Sequence, residues 1–360
     1  SSDVCSSDLY GKRLLAGILA FTLAVGSAGC AKEETQVKKD LKSQIAQSAE
    51  SLDTFYESQE KSVLLDESTL PAGDGTSDWT AVALTFSGKA DSKVQAAYLN
   101  RLQKYVEKAY EQGGGLSKVK ATEYHRIALT MLALDGNPEK VKNASGKVID
   151  LVADGTWNFT KGDPGIQGAN GLCYALLMLD AGDYNNPKKP ELRKKFITEL
   201  LEYQKESGGF CIDNSLDPEV DITAMAVQAL APYYKEDKCK KEKLDAQKMK
   251  ESIDAAVKWL AAQESDDAEF LYDNSASSES ISQVILALCA LERDPEKDET
   301  FTKKESTLLD ALAKFRKEDG IYMHEKADEE GSAMATYQAM IALEAVQKLR
   351  TEKKWIFDFK

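Results

Sequence analysis

The segments DWTAVAL, EYHRIALTMLAL, GLCYALLML, DITAMAVQAL, ESISQVILALCAL and SAMATYQAMIAL recur along the 360-residue chain. Each opens on a polar residue or two. Each then carries small and aliphatic residues around nearly the whole circumference of a helix, the pattern of a helix buried on every side. Aligned on their Ala-Leu step or its equivalent, they centre on Ala83, Thr130, Ala175, Ala229, Ala287 and Ala342, roughly 45 to 58 residues apart. A repeat of that length is one supersecondary unit, which covers its apolar faces only by stacking on its neighbours.

Between these segments lie amphipathic ones with charged outer faces: KVQAAYLNRLQKYVEKAYEQ, ELRKKFITELLEYQKE, MKESIDAAVKWLAAQE and ESTLLDALAKFRKE. Several end in a glycine turn, at Gly113, Gly208 and Asp319–Gly320, where glycine suits the left-handed residue that closes a helix. A weaker helix is expected over Val141–Val152, and no run reads as a convincing strand. An open solenoid would need polar terminal repeats, whereas the last repeat, SAMATYQAMIALEAV, stays apolar. The expected fold is therefore all-α, an (α/α)6 toroid with six inner and about six outer helices.

The N-terminus reads differently. Residues 1–10 lack periodicity and are set aside as an artefact. Residues 11–29 carry Lys12 and Arg13, then an apolar run from Leu14 to Val25 that is short for a membrane span. Small residues lead from there to Cys30. The stretch resembles a bacterial lipoprotein signal, with SAGC as its lipobox. That resemblance implies acylation of Cys30 and an extracytoplasmic protein held to the cell membrane by its lipid alone; the charged residues 30–40 read as a tether and 41–360 as the toroid.

The formal net charge of -14 argues against nucleic acid as a partner, because phosphates would be repelled. Of the remaining cysteines, Cys173 and Cys289 lie within apolar helix patterns and read as core residues, while Cys211 and Cys239 leave pairing open. With two histidines and no CxxC pair, no metal site and no cofactor is implied.

SDWTAVALTFSG, TEYHRIALTMLALDGNP, DPEVDITAMAVQALAPYY, SESISQVILALCALERDP and MATYQAMIALEAV resemble the prenyltransferase and squalene-oxidase repeat family over about residues 75 to 360. Its bacterial secreted or lipid-anchored members are the most similar. The resemblance implies the toroid of terpenoid cyclases and protein prenyltransferases and says little about activity. Protonating cyclases carry Asp-x-Asp-Asp before such a helix. Here Asp221 matches the middle position, but Ile222 breaks the motif. In prenyltransferases a zinc-binding Cys follows the Asp by two residues, where this chain has Thr223.

Asp221 therefore reads first as an N-cap or first-turn residue of an inner helix, with Glu219 just outside it. Inner helices of a ring run parallel, so their N-termini share one mouth. Trp79, Tyr124, His125, Asp221, Glu279 and Tyr337 are the expected lining. Aromatic walls with a few polar groups suit a small organic ligand such as a corrinoid, an isoprenoid or a glycan. The leading reading is non-catalytic binding. The alternatives are a carbohydrate hydrolase or lyase using Asp221 and Glu279 as acid and base, which need separations of about 5 to 9.5 Å; a cyclase- or prenyltransferase-like enzyme; and a protein-interaction role for the outer helices.

Overall fold

A computed structural model describes residues 40–142, 146–159, 164–272 and 275–360. All belong to one compact unit, Lys39–Lys360. The expected artefact, signal segment, lipidated Cys30 and nearly all of the tether lie outside the described residues.

In chain order the helices are α1 (Leu41–Thr54), α2 (Gly75–Phe86), α3 (Ser92–Gly113), α4 (Ala121–Ala133), α5 (Leu151–Gly155), α6 (Gly168–Ala181), α7 (Leu192–Leu201), α8 (Val220–Leu230), α9 (Glu236–Lys241), α10 (Ala246–Gln263), α11 (Ser278–Ala290), α12 (Leu308–Ala313) and α13 (Ala333–Glu352). The six apolar segments are α2, α4, α6, α8, α11 and α13. Each packs on the next, and α13 returns to pack on α2, closing the ring. Ala83, Thr130, Ala175, Ala229, Ala287 and Ala342 are all buried. Small side chains at these positions let neighbouring backbones approach.

The outer layer is α1, α3, α5, α7, α10 and α12. Helix α1 packs on α13 and α2, so the chain's first described helix covers the seam that closes the ring. Gln47 and Ser48 on α1 also bond to the carbonyls of Glu318 and Gly320, tying α1 to the turn after α12. The outer helices bury one stripe each: Val94, Tyr98, Leu102 and Val106 on α3, and Met249, Ile253, Ala256 and Leu260 on α10. Gly114 at the end of α3 is left-handed (φ 73°), as the glycine pattern implies.

One expectation needs correcting. Val141–Val152 is not a helix. Val141–Lys142 pairs with Val148–Ile149 as a short hairpin, and only Leu151–Gly155 is helical. Gly146, with φ 76°, and the β-branched Val148 and Ile149 favour the hairpin over a helical turn.

Candidate functional site

The N-terminal ends of the inner helices are linked to one another around the ring. Asp78 of α2 pairs with Arg126 of α4 at 3.1 Å. The backbone N–H of Thr122 on α4 donates to Gln167, which precedes α6 (3.0 Å). Ala169 of α6 donates to the Ile212 carbonyl in the loop before α8 (3.1 Å). Gly168 lies so close there that a Cβ would sit 2.1 Å from the same oxygen. Ser280 of α11 bonds Asp221 of α8. Ser278 of α11 bonds the backbone of Met323 and His324 in the loop before α13 (2.8 and 3.0 Å). One rim therefore gathers all six helix starts.

The structure divides the six expected lining residues. Tyr124 and His125 face the outer layer. The Tyr124 hydroxyl accepts from the Leu116 N–H and donates to the Ser117 carbonyl, and its ring packs edge-on against Phe159. His125 is fully buried. Its Nε2–H donates to the Gly155 carbonyl of α5 at 2.7 Å, and burial lowers its pKa to about 4. Both therefore brace α4 against its surroundings and do not line the mouth.

Trp79, Asp221, Glu279 and Tyr337 sit on the ring's inner side. Trp79 of α2 meets Tyr174 of α6 at 6.4 Å, a contact between helices that are not neighbours. It must cross the lumen. Residues that stay partly exposed on these otherwise buried helices recur at helical spacing: Asn170, Tyr174 and Leu177 on α6, Asp221 and Met225 on α8, Ser280 and Gln283 on α11, Met334 and Gln338 on α13. They trace the lumen wall. An ideal ring of six helices packed roughly 9 Å apart leaves roughly 7 Å between helix surfaces, part of which the Trp79 and Tyr174 rings occupy here.

Two features of this wall escape the reading from sequence. Gln228, Gln283 and Gln338 stand 55 residues apart and bond in a line, at 2.9 and 3.1 Å. Amides thus line the α8–α11–α13 side, opposite the aromatic Trp79 and Tyr174. The second is the end of the chain. After α13, residues 354–360 turn back across the C-terminal ends of the ring. Phe357 is buried against Trp79, Phe86 and Trp355, Phe359 stacks on Phe86, and the Phe359 N–H donates to the Ala181 carbonyl at the end of α6. With this aromatic floor opposite the rim, the lumen has the form of a cup.

The cup's polar centre lies just inside that rim. His324 Nδ1–H donates to Glu279 Oε2 at 2.9 Å, and this bond raises the His324 pKa to about 9. Burial raises Asp221, with Glu279 and Glu219 adding to the shift against Ser280 and His324. Asp221 Oδ1 and Glu279 Oε1 are buried and have no hydrogen-bond partner among the described residues. Asp221 is a first-turn residue, and Glu219 is the N-cap without a side-chain capping bond. Thr223, at the position of the prenyltransferase zinc Cys, has a structural task. Its hydroxyl accepts from the Phe210 N–H (2.8 Å) and donates to the Glu219 carbonyl (2.7 Å). Thr336 does the same for Tyr322 and Ser332 in the last repeat. Among the described residues no three His, Cys, Asp or Glu side chains are placed to hold a metal ion.

The rim is chemically distinct. The outer-to-inner connections span 55–74, 114–120, 156–167, 202–219, 264–277 and 314–332. Their described residues hold 20 Asp and Glu against eight Lys and Arg, most of the net charge of the protein. Five of them also expose a large apolar residue: Phe55, Val119, Ile166, Leu216 and Leu271.

A closed double ring of helices with its C-terminal floor plugged defines an α/α toroid. The family model for the prenyltransferase alpha-alpha toroid domain matches residues 169–358, and the chain belongs to that family. Among solved structures, Candida albicans protein geranylgeranyltransferase-I complexed with GGPP is similar over 85% of this chain and 92% of its own, with 12% identity and a TM-score of 0.51. A protein from Actinoplanes is similar over 87% of this chain and all of its own, with 15% identity and a TM-score of 0.46. At such identity the likeness is one of fold. No curated protein matches.

Proposed function

We propose that this protein is a cell-envelope lipoprotein whose toroid binds a small amphipathic organic ligand in its cup without transforming it. The observation that carries this reading is the lumen wall: partly exposed side chains at helical spacing, aromatic on the α2–α6 side and amide on the α8–α11–α13 side, above a floor sealed by Phe357. Such a wall stacks a flat or apolar body while bonding its polar edge. A bound ligand would cover Trp79, so its fluorescence, in a protein whose other three tryptophans are Phe, should resist acrylamide quenching once ligand is added. Unchanged quenching at saturation would remove the cup from the account.

Membrane attachment rests on the sequence around Cys30. In a bacterial host, metabolic labelling with palmitate should mark the protein, and Cys30→Ser should abolish the mark and release the protein from the membrane fraction. Labelling that survives the substitution refutes the anchor.

One observation favours a second reading. Asp221 Oδ1 and Glu279 Oε1 are buried oxygens, and the Glu279 charge lies close enough to help raise Asp221, a pairing that could serve acid–base cleavage of a glycan. Release of reducing ends from a glycan panel, lost in Glu279→Gln, would establish it over simple binding.

A further inference from the structure

The cup's mouth is built to attract and then to hold positive charge. Two buried carboxylate oxygens, Asp221 Oδ1 and Glu279 Oε1, lack partners among the described residues, and Glu279 is only 5% exposed. An unpaired buried acceptor is costly to maintain unless something satisfies it in the working state. Ser280 and His324 already serve Asp221 and the other Glu279 oxygen, so what remains open is acceptor capacity alone. A ligand that fills it must donate hydrogen bonds. The rim adds a sign to that requirement. The described residues of its connections carry 20 acids against eight bases, and a cleft of one sign with apolar walls focuses its field inward. Beneath lie Trp79 and Tyr174, whose ring faces also favour a cation.

Resting on the reading of the cup as a ligand site, we infer that its ligand is an organic cation: a protonated amine, seated between Asp221 and Glu279, carried on an apolar or aromatic body that lies against Trp79 and Tyr174. A neutral polyol would also donate to the two carboxylates, but it would gain nothing from the acidic rim. An anion would meet that field as a barrier. A six-helix ring of roughly 7 Å between helix surfaces restricts the body to a single ring or chain.

Three probes with one body and different heads test this: 4-phenylbutylamine, 4-phenylbutan-1-ol and 4-phenylbutyrate, titrated by calorimetry into the whole protein at neutral pH. The amine should bind one to one, at least about tenfold tighter than the alcohol, with the carboxylate weakest. Raising NaCl from about 20 to about 500 mM should weaken the amine and leave the alcohol nearly unchanged. Glu279→Gln and Asp221→Asn should each weaken the amine by about tenfold and move the alcohol by less than about twofold. An alcohol or carboxylate that binds as tightly as the amine overturns the cation and leaves the cup standing. No binding by any of the three overturns both. Amine affinity unchanged in both variants places the cation elsewhere and overturns the assignment. Should a variant fail to fold, shown by its thermal midpoint, the head-group series on the unaltered protein decides.

Discussion

Replacing Phe357 by Ala tests whether the chain's end truly forms the floor of the ring. Phe357 is 4% exposed and meets four other aromatic rings of the floor, Trp355 at 5.5 Å, Phe86 at 5.9 Å, Trp79 at 6.2 Å and Phe359 at 6.4 Å. Truncating a buried Phe costs about 3–5 kcal/mol, part transfer and part residual cavity. The edge-on ring pairs account for about 0.5–1.5 kcal/mol of that per pair. Trp79 and Phe86 are held by α2 and cannot collapse far, so the upper half of the range, about 4 kcal/mol, is expected. Unfolding entropy near 2.1 cal/mol/K per residue, over a unit of about 320 residues, converts this to a melting point lower by about 6 °C. Circular dichroism melts and urea titration read it directly. Phe357→Leu, which keeps most of the volume, should lose less than about 1.5 kcal/mol. A loss below about 1 kcal/mol in Phe357→Ala would mean that the terminal segment lies loosely on the ring, and the cup would then be a tunnel.

Two further outcomes follow from the rim. Asp78 is fully buried and holds Arg126 Nε at 3.1 Å, the Tyr98 hydroxyl at 2.8 Å and the Gly73 N–H at 3.0 Å. Asp78→Ala strands a largely buried guanidinium, so urea unfolding should show a loss of about 3–5 kcal/mol; a loss under 1 kcal/mol would show that the α2–α4 seam is wet. His324, raised to about 9 chiefly by its bond to Glu279, stabilises the fold in full below its unfolded value near 6.5, and that contribution disappears as pH climbs through about 9. Imidazole NMR titration should give an apparent pKa near 9 that falls toward 6.5 in Glu279→Gln, and a value unmoved by the substitution would break the assigned pair.

Much of this architecture is legible in the chain because burial leaves a compositional mark. Helices walled in on every side must be apolar on every side, and all six segments picked on that ground are inner helices. The same uniformity hides direction. On α4, Tyr124 and His125 look as suited to a lumen as Trp79 does on α2, because a helix apolar all round gives no phase by which to tell the inward face from the outward one. Polar residues within the apolar run carry that phase. Gln283 and Gln338, at the same point of two successive repeats, mark the inward stripe together with Gln228, and all three could have been found by their 55-residue spacing. The floor was not legible, since Trp355, Phe357 and Phe359 belong to no periodic segment and acquire a role only when the ring brings α2 and α6 together beside them. His324 lies in the loop IYMHEKADEE, where spacing says little, and only the fold sets it against Glu279.

A crystal structure grown with 4-phenylbutylamine tests at once whether the ring closes and whether its mouth holds a cation. The expected density places α13 against α2, the ammonium within hydrogen-bonding reach of Asp221 Oδ1 and Glu279 Oε1, and the phenyl group beside Trp79 and Tyr174. An amine bound only on the outer helices, or a ring in which α13 stands away from α2, would contradict it.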